Sequence, residues 1–168
     1  MASEPGLLIR YLGLLIVAAF IVGCAGSPMR TWSMDPDQLD QLGAAELCNA
    51  YAVSKQSNEP VRAALKRRDA LLIELITEGQ PDPVTGDPPR SPFTVQEWEA
   101  IEKRTVFIGM SEHALICSWG LPNAFGGGAI NETVGPWGSK RQYVYRRGTY
   151  TKTQYVYVEN GTVTGWQQ

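Results

Sequence analysis

Few side chains in this sequence could do covalent or metal chemistry: three cysteines and a single histidine among 168 residues. One histidine cannot build a multi-histidine metal site, and Cys48 and Cys117 lie too far apart in the chain to match the short ligand spacings of zinc sites. His113 stands beside Glu112 in the first turn of a predicted short helix, which is more typical of a surface residue than of a catalytic one. We therefore predict no catalytic site, no enzyme activity, and no metal or other bound cofactor.

Cys24 follows an uncharged apolar run from Tyr11 to Val22. A membrane-spanning helix needs about 20 apolar residues, so this shorter run is typical of a secretory signal. The residues Ile21-Val22-Gly23-Cys24 resemble the bacterial lipobox. The resemblance implies a signal peptide over residues 1–23, cleavage before Cys24 and a diacylglycerol lipid on its thiol. The alternative is an uncleaved N-terminal anchor in which the cysteine is incidental.

A lipid on Cys24 would attach the chain to a membrane. By resemblance to enterobacterial lipoprotein sorting, Ala25 after the cysteine favours the outer membrane, facing the periplasm; the periplasmic side of the inner membrane is the alternative. The chain carries 15 basic and 17 acidic side chains, a formal charge of −2. This balance gives no argument for nucleic-acid binding.

The remaining cysteines, Cys48 and Cys117, form an even pair once Cys24 is lipidated. An oxidising periplasm permits a disulfide between them. Such a bond would tie the N-terminal helices to the C-terminal half and contribute about 2–4 kcal/mol to stability. Two buried free thiols are the alternative.

The elements that must position these residues fall into two halves. Residues 24–37 lack periodicity and are predicted to be a tether, whereas residues 38–79 are predicted to be helical, with one helix opening at Pro60 and ending at Gly79. Residues 80–93 contain five prolines and are predicted to form a loop. The basic cluster Lys66–Arg68 favours a solvated helix face, with anionic headgroups or a partner as the alternative.

The second half, residues 94–168, predicts two helices followed by an antiparallel sheet of three strands. Thr94 and Glu97 have the spacing of a capping box, and Ser111 is placed to cap the second helix. Alternating residues at 142–145 and 154–158 predict two strands, and Asn160-Gly161 predicts a tight turn into a third. The sequence thus predicts the α+β class, with N-terminal helices before a two-helix, three-strand module.

The turn at Asn160 sets which strand residues share a face. It places Val158 opposite Val163 and Tyr155 opposite Trp166. Aromatic side chains dominate interface hot spots, so an aromatic face could bind a partner. The alternative, slightly favoured, buries this face against the helices, and a third outcome leaves only part of the aromatic set exposed. The candidate partner-binding residues are Tyr143, Tyr145, Tyr155, Tyr157 and Trp166.

The second half resembles a known family. The segment Gly109-Met110-Ser111, a short helix and Trp119-Gly120-Leu121-Pro122 are similar to the pattern of the SmpA/OmlA small outer-membrane lipoproteins, which include outer-membrane assembly component E. The resemblance covers about residues 94–168 and the lipobox. It implies two helices packed on a three-stranded antiparallel sheet, a unit that β-lactamase inhibitor proteins repeat. The helices at 38–78 have no counterpart in that pattern, and residues 124–131 form a long insert.

Together these features predict a lipid-anchored, non-catalytic bacterial envelope protein that contacts another envelope protein, in outer-membrane assembly or maintenance. The alternative is a periplasmic inhibitor or ligand-binding module that uses the aromatic sheet face.

Overall fold

The structure is a computed structural model, and it describes residues 28–54, 58–125, 127–146, 148 and 152–167. Helices precede an antiparallel sheet, so the predicted α+β class is confirmed. In chain order the elements are a 3₁₀ turn at Pro28–Ser33, α1 (Pro36–Asp40), α2 (Ala44–Val53), α3 (Glu59–Glu78), α4 (Val95–Lys103), α5 (Glu112–Trp119), a 3₁₀ turn at Pro122–Phe125, β1 (Ala129–Gly135), β2 (Gly138–Tyr145), β3 (Gln154–Glu159) and β4 (Thr162–Gln167).

The sheet has four strands in the order β1-β2-β3-β4, not the three predicted. The additional strand, β1, begins inside the segment 124–131 that the sequence pattern left as an insert and continues to Gly135. Its residues Asn131, Glu132 and Gly135 have low strand propensity, and the strand follows three glycines. Nearly all of its residues are exposed, so it lacks the alternation of buried and polar residues that identifies a strand in a sequence.

Local signals fix most helix ends. The side chain of Asn58 accepts a hydrogen bond from the Val61 N–H at the start of α3, and Gly79 ends that helix in the left-handed conformation, at φ 65°. The capping box at Thr94 and Glu97 is present, and Ser111 caps α5. Before Pro60, the section predicted to be helical from residue 38 contains two short helices, α1 and α2, because the chain turns at residues 41–43.

One hydrophobic core joins the two halves. Leu47 and Leu65 from the N-terminal helices and Leu115 and Val156 from the C-terminal half are fully buried in the same cluster. The predicted disulfide between Cys48 and Cys117 is present and connects α2 to α5. The proline-rich loop is therefore not a boundary between two separate cores.

The basic cluster on α3 binds carboxylates of the same chain. Lys66 lies 3.9 Å from Glu102, Arg67 lies 2.8 Å from Asp40, and Arg68 forms a buried ion pair with Asp82 in the proline-rich loop. The neighbouring Asp69 fastens the other end of that loop: it accepts hydrogen bonds from the Phe93 N–H at 3.0 Å and from the Trp98 indole at 3.1 Å. These contacts give the cluster a structural role.

The Gly-Met-Ser segment before α5 packs against the sheet. Gly109 has φ 96°, a conformation that favours glycine, and Met110 is fully buried. The Ser111 N–H donates to the carboxylate of Glu97 at 2.7 Å, which links the start of α5 to the start of α4. The segment thus holds both helices against the last strand.

Candidate functional site

Two of the five predicted partner-binding residues are in the core. Tyr143 and Tyr145 lie on the face of β2 that packs on the helices, and both are buried. The Tyr145 hydroxyl donates to the Gly120 carbonyl at 3.0 Å, and the Tyr143 hydroxyl donates to Glu112. Because their hydroxyls are satisfied internally and their rings are covered, neither residue can belong to an exposed platform.

The other three predicted residues do not form one continuous aromatic face. Val158 pairs with Val163 as predicted, but an irregularity between Tyr157 and Val158 shifts the rest of the ladder. Trp166 therefore lies opposite Val156, not opposite Tyr155, and the predicted register is wrong beyond the bulge. The valines are buried and Tyr155 and Tyr157 are half-buried on the opposite face, so the slightly favoured burial of the whole aromatic set is also wrong.

The outer face of the sheet carries a hydrogen-bonded row of amides around Tyr157. The Asn131 side-chain amide donates to Gln142 at 3.0 Å, and the Gln142 amide donates to the Tyr157 hydroxyl at 3.3 Å. The Gln167 amide donates to the same hydroxyl at 2.8 Å. These four side chains come from all four strands, and with the neighbouring Tyr155 they make a polar and aromatic surface of the kind found at protein interfaces.

The inner face contains a charged cluster next to β1. Arg141 binds both Glu112 oxygens, at 2.9 and 2.8 Å, and its Nε donates to Glu132 at 2.9 Å. Hydrogen bonds to the two carboxylates raise the pKa of Arg141, and burial together with the Glu112 carboxylate raises the pKa of Tyr143 well above its usual value. The formal charge of the cluster is −1, from two carboxylates and one guanidinium.

Arg141 is bound to both carboxylates of this cluster. Arg141 stays protonated and Tyr143 stays neutral at physiological pH, so neither group exchanges a proton there. His113, adjacent to Glu112 in the chain, is exposed on α5. Within the described ranges, no three or more His, Cys, Asp or Glu side chains are arranged to hold a metal ion. What the cluster does is connect α5, β2 and the edge strand β1.

The two edges of the sheet differ. At β4, the Gly109 N–H donates to the Val163 carbonyl and the Val163 N–H donates to the Met110 carbonyl, both at 2.8 Å. At β1, the last strand on the other side, Ile130 and Val134 are 42% and 74% exposed, and Trp137 in the adjoining turn is 76% exposed. The local signal for this edge in the sequence is a pair of β-branched residues, Ile130 and Val134, which favour a strand but are obscured by the neighbouring glycines and Pro136.

Cys24 and the predicted signal peptide lie outside the described residues. Among the helices of the described part, none combines the length and the apolar character needed to cross a membrane. No family model, curated protein or solved structure matches this chain.

Proposed function

We propose that this chain is a lipid-anchored, non-catalytic protein of the bacterial envelope that acts through contacts with another envelope protein. The lipobox-like residues 21–24 supply the anchor, and Ala25 favours the outer membrane, facing the periplasm. The disulfide between Cys48 and Cys117 supports export, since disulfides persist in the periplasm and are rare in the bacterial cytosol.

The open part of the sheet carries the contact role in this proposal. Tyr155 and Tyr157 project from the face opposite the buried valines, beside the amides of Gln142 and Gln167. Tyrosine and amide side chains give a surface both apolar area and hydrogen bonds, which suits a protein partner. A partner in outer-membrane assembly or maintenance follows from the resemblance to the SmpA/OmlA lipoproteins.

Lipidation can be tested by metabolic labelling of cells with an alkyne fatty acid. The wild-type chain should take up the label, and Cys24→Ala should not. Cys48→Ala together with Cys117→Ala serves as a control, because these thiols are not the proposed lipid acceptors. Label that survives Cys24→Ala would contradict the anchor.

The contact role can be tested by photocrosslinking in intact cells. A photoreactive side chain at Tyr155 or Gln167 should give a discrete adduct with an envelope protein. The same group at Val95, an exposed position on α4, is the matched control. Equal adducts from both surfaces would contradict a contact through the sheet, and an adduct with a soluble periplasmic protein would instead favour an inhibitor or ligand-binding role.

A further inference from the structure

The hydrogen bonds of the neighbouring strand β2 show which way the main-chain N–H and carbonyl groups of β1 point. The Ser139 N–H donates to the Asn160 side chain at 3.0 Å, and the Ser139 carbonyl accepts from the Asn160 N–H at 2.9 Å. Both polar groups of Ser139 therefore face β3. Its partner across β1 and β2 is Val134, so that pair is a non-hydrogen-bonded one.

Hydrogen-bonded and non-hydrogen-bonded pairs alternate along an antiparallel ladder. Glu132 and Ile130 therefore also form non-hydrogen-bonded pairs with β2, as Val134 does. The N–H and carbonyl groups of these three residues point away from β2. They form a row of donors and acceptors at the edge of the sheet, and no backbone hydrogen bond to this row is found among the described residues. Such a row is a template for one more strand.

The side chains of the same three residues determine what kind of strand fits. Ile130 and Val134 are exposed and apolar, and Glu132 lies between them. Glu132 shares Arg141 with Glu112, so the cluster behind this edge has a formal charge of −1. A strand that adds here places one side chain opposite each of the three residues, on the same face.

We propose that the β1 edge binds an extended segment of another protein by antiparallel strand addition, with a Lys or Arg opposite Glu132 and apolar side chains opposite Ile130 and Val134. The two positions between these face Asn131 and Thr133 and take polar residues. The basic residue compensates the charge of the Glu112, Arg141 and Glu132 cluster, and the apolar residues cover Ile130 and Val134.

A second copy of this chain fits the same edge less well. Antiparallel pairing of two β1 strands overlaps fully when it is centred on Glu132, and it then sets the two Glu132 carboxylates opposite each other. Like charges at directly opposite positions are destabilising. This inference goes beyond the proposed function, since strand addition at β1 does not require the lipid on Cys24.

The test uses the full chain in detergent and the synthetic peptide Thr-Val-Thr-Lys-Thr-Val-Thr. Amide exchange measured by NMR should slow at Ile130, Glu132 and Val134 on addition of the peptide. Exchange at Asn131 and Thr133 should not change, because their amides already face β2. Replacing the peptide's lysine by glutamate should weaken binding about tenfold, since attraction at one cross-strand position becomes repulsion.

Two variants locate the specificity. Glu132→Lys should reverse the preference, so that the glutamate peptide binds better. Glu159→Lys, an exposed site on β3 with the same change in formal charge, should keep the original preference. Val134→Pro removes one outward N–H without removing a hydrogen bond to β2, and it should abolish binding of both peptides.

Three results would overturn the proposal. The first is unchanged exchange at the three edge amides with either peptide. The second is the same lysine preference in Glu132→Lys as in the wild type. The third is slow exchange of these amides without peptide together with a dimer in sedimentation, which would assign the edge to a second copy. Loss of fatty-acid labelling has no bearing on these readouts, so failure of this inference and failure of the proposed function are distinguishable.

Discussion

The two edges of the sheet both present outward main-chain N–H and carbonyl groups, but the chain pairs them at β4 and leaves them unpaired at β1 among the described residues. At β4, the chain's own Gly109 and Met110 pair with Val163, and both Met110 and Val163 are buried. At β1, the outward groups of Ile130, Glu132 and Val134 have no backbone partner among the described residues, and their side chains are exposed. The segment before α5 thus closes the β4 edge at Val163, the one buried residue of that strand, whereas β1 has no buried residue and no such closure among the described residues.

The β4 edge therefore contributes to the stability of the fold, whereas the β1 edge remains available to a partner. Closure at β4 is part of the core, because Met110 and Val163 are both buried. The β1 edge is instead guarded against indiscriminate pairing by a charge at Glu132 and a proline directly after the strand, both of which discourage aggregation. An edge that is open but charged can select its partner.

The largest effect should come from the disulfide that holds the helices under the closed edge. Cys48 and Cys117 are 69 residues apart, so the crosslink removes much loop entropy from the unfolded chain. The double variant Cys48→Ala and Cys117→Ala should lose about 4 kcal/mol of unfolding free energy in urea. A loss below about 1 kcal/mol would mean that the covalent link adds little to the packing of α2 on α5.

The next effect compares the two edges directly by shortening one side chain at each. Met110→Ala removes a fully buried side chain at the closed edge and should cost about 3 kcal/mol. Val134→Ala removes an exposed side chain at the open edge and should change the unfolding free energy by less than about 0.5 kcal/mol. Equal losses in urea unfolding would contradict the division between a structural and an available edge.

A smaller effect is expected at the charged cluster that connects the two regions. Glu112→Gln removes the charge that Arg141 binds from the buried side and should cost about 2 kcal/mol. Glu132→Gln removes the charge on the exposed side and should cost less than about 1 kcal/mol, because solvent screens it. Urea unfolding of the two matched variants measures the difference, and the reverse order would mean that Arg141 is anchored mainly from β1.

The sequence predicts the regions where local signals and burial agree. The caps at Thr94 and Ser111, the end of α3 at Gly79 and the Asn160-Gly161 turn each depend on a few neighbouring residues, and the structure has them all. The Cys48 to Cys117 disulfide was one of two outcomes that the cysteine count left open, and the structure contains it.

The errors come from features that no local pattern encodes. Strand β1 is exposed along its length, so it has no buried face to produce an alternation. The bulge in β4 opposite Tyr157 and Val158 moves Trp166 away from Tyr155, and its only signal in the sequence of that strand is the isolated Gly165. Tyr143 and Tyr145 differ from Tyr155 and Tyr157 only in which face of the sheet they occupy, and the position of the helices decides that. The partner-binding set was predicted only in part, because the sequence does not show which face of the sheet the helices cover.

The smallest effect should be the pH dependence of the stability that Glu97 contributes. Glu97 holds Ser111, which follows the segment that closes β4. Burial raises the pKa of this carboxyl, but hydrogen bonds from Ser111 and Thr94 outweigh burial, so its pKa lies below the usual value. A carboxyl whose pKa is lower in the folded than in the unfolded state adds stability above about pH 4.5 and loses it as the pH falls through the folded pKa. The free energy lost in Glu97→Gln should therefore shrink as urea unfolding is measured from pH 7 towards about pH 3.5. A constant loss over that range would show that Glu97 acts through packing alone, and that acid does not loosen Ser111 or the Gly109–Met110 segment that closes β4.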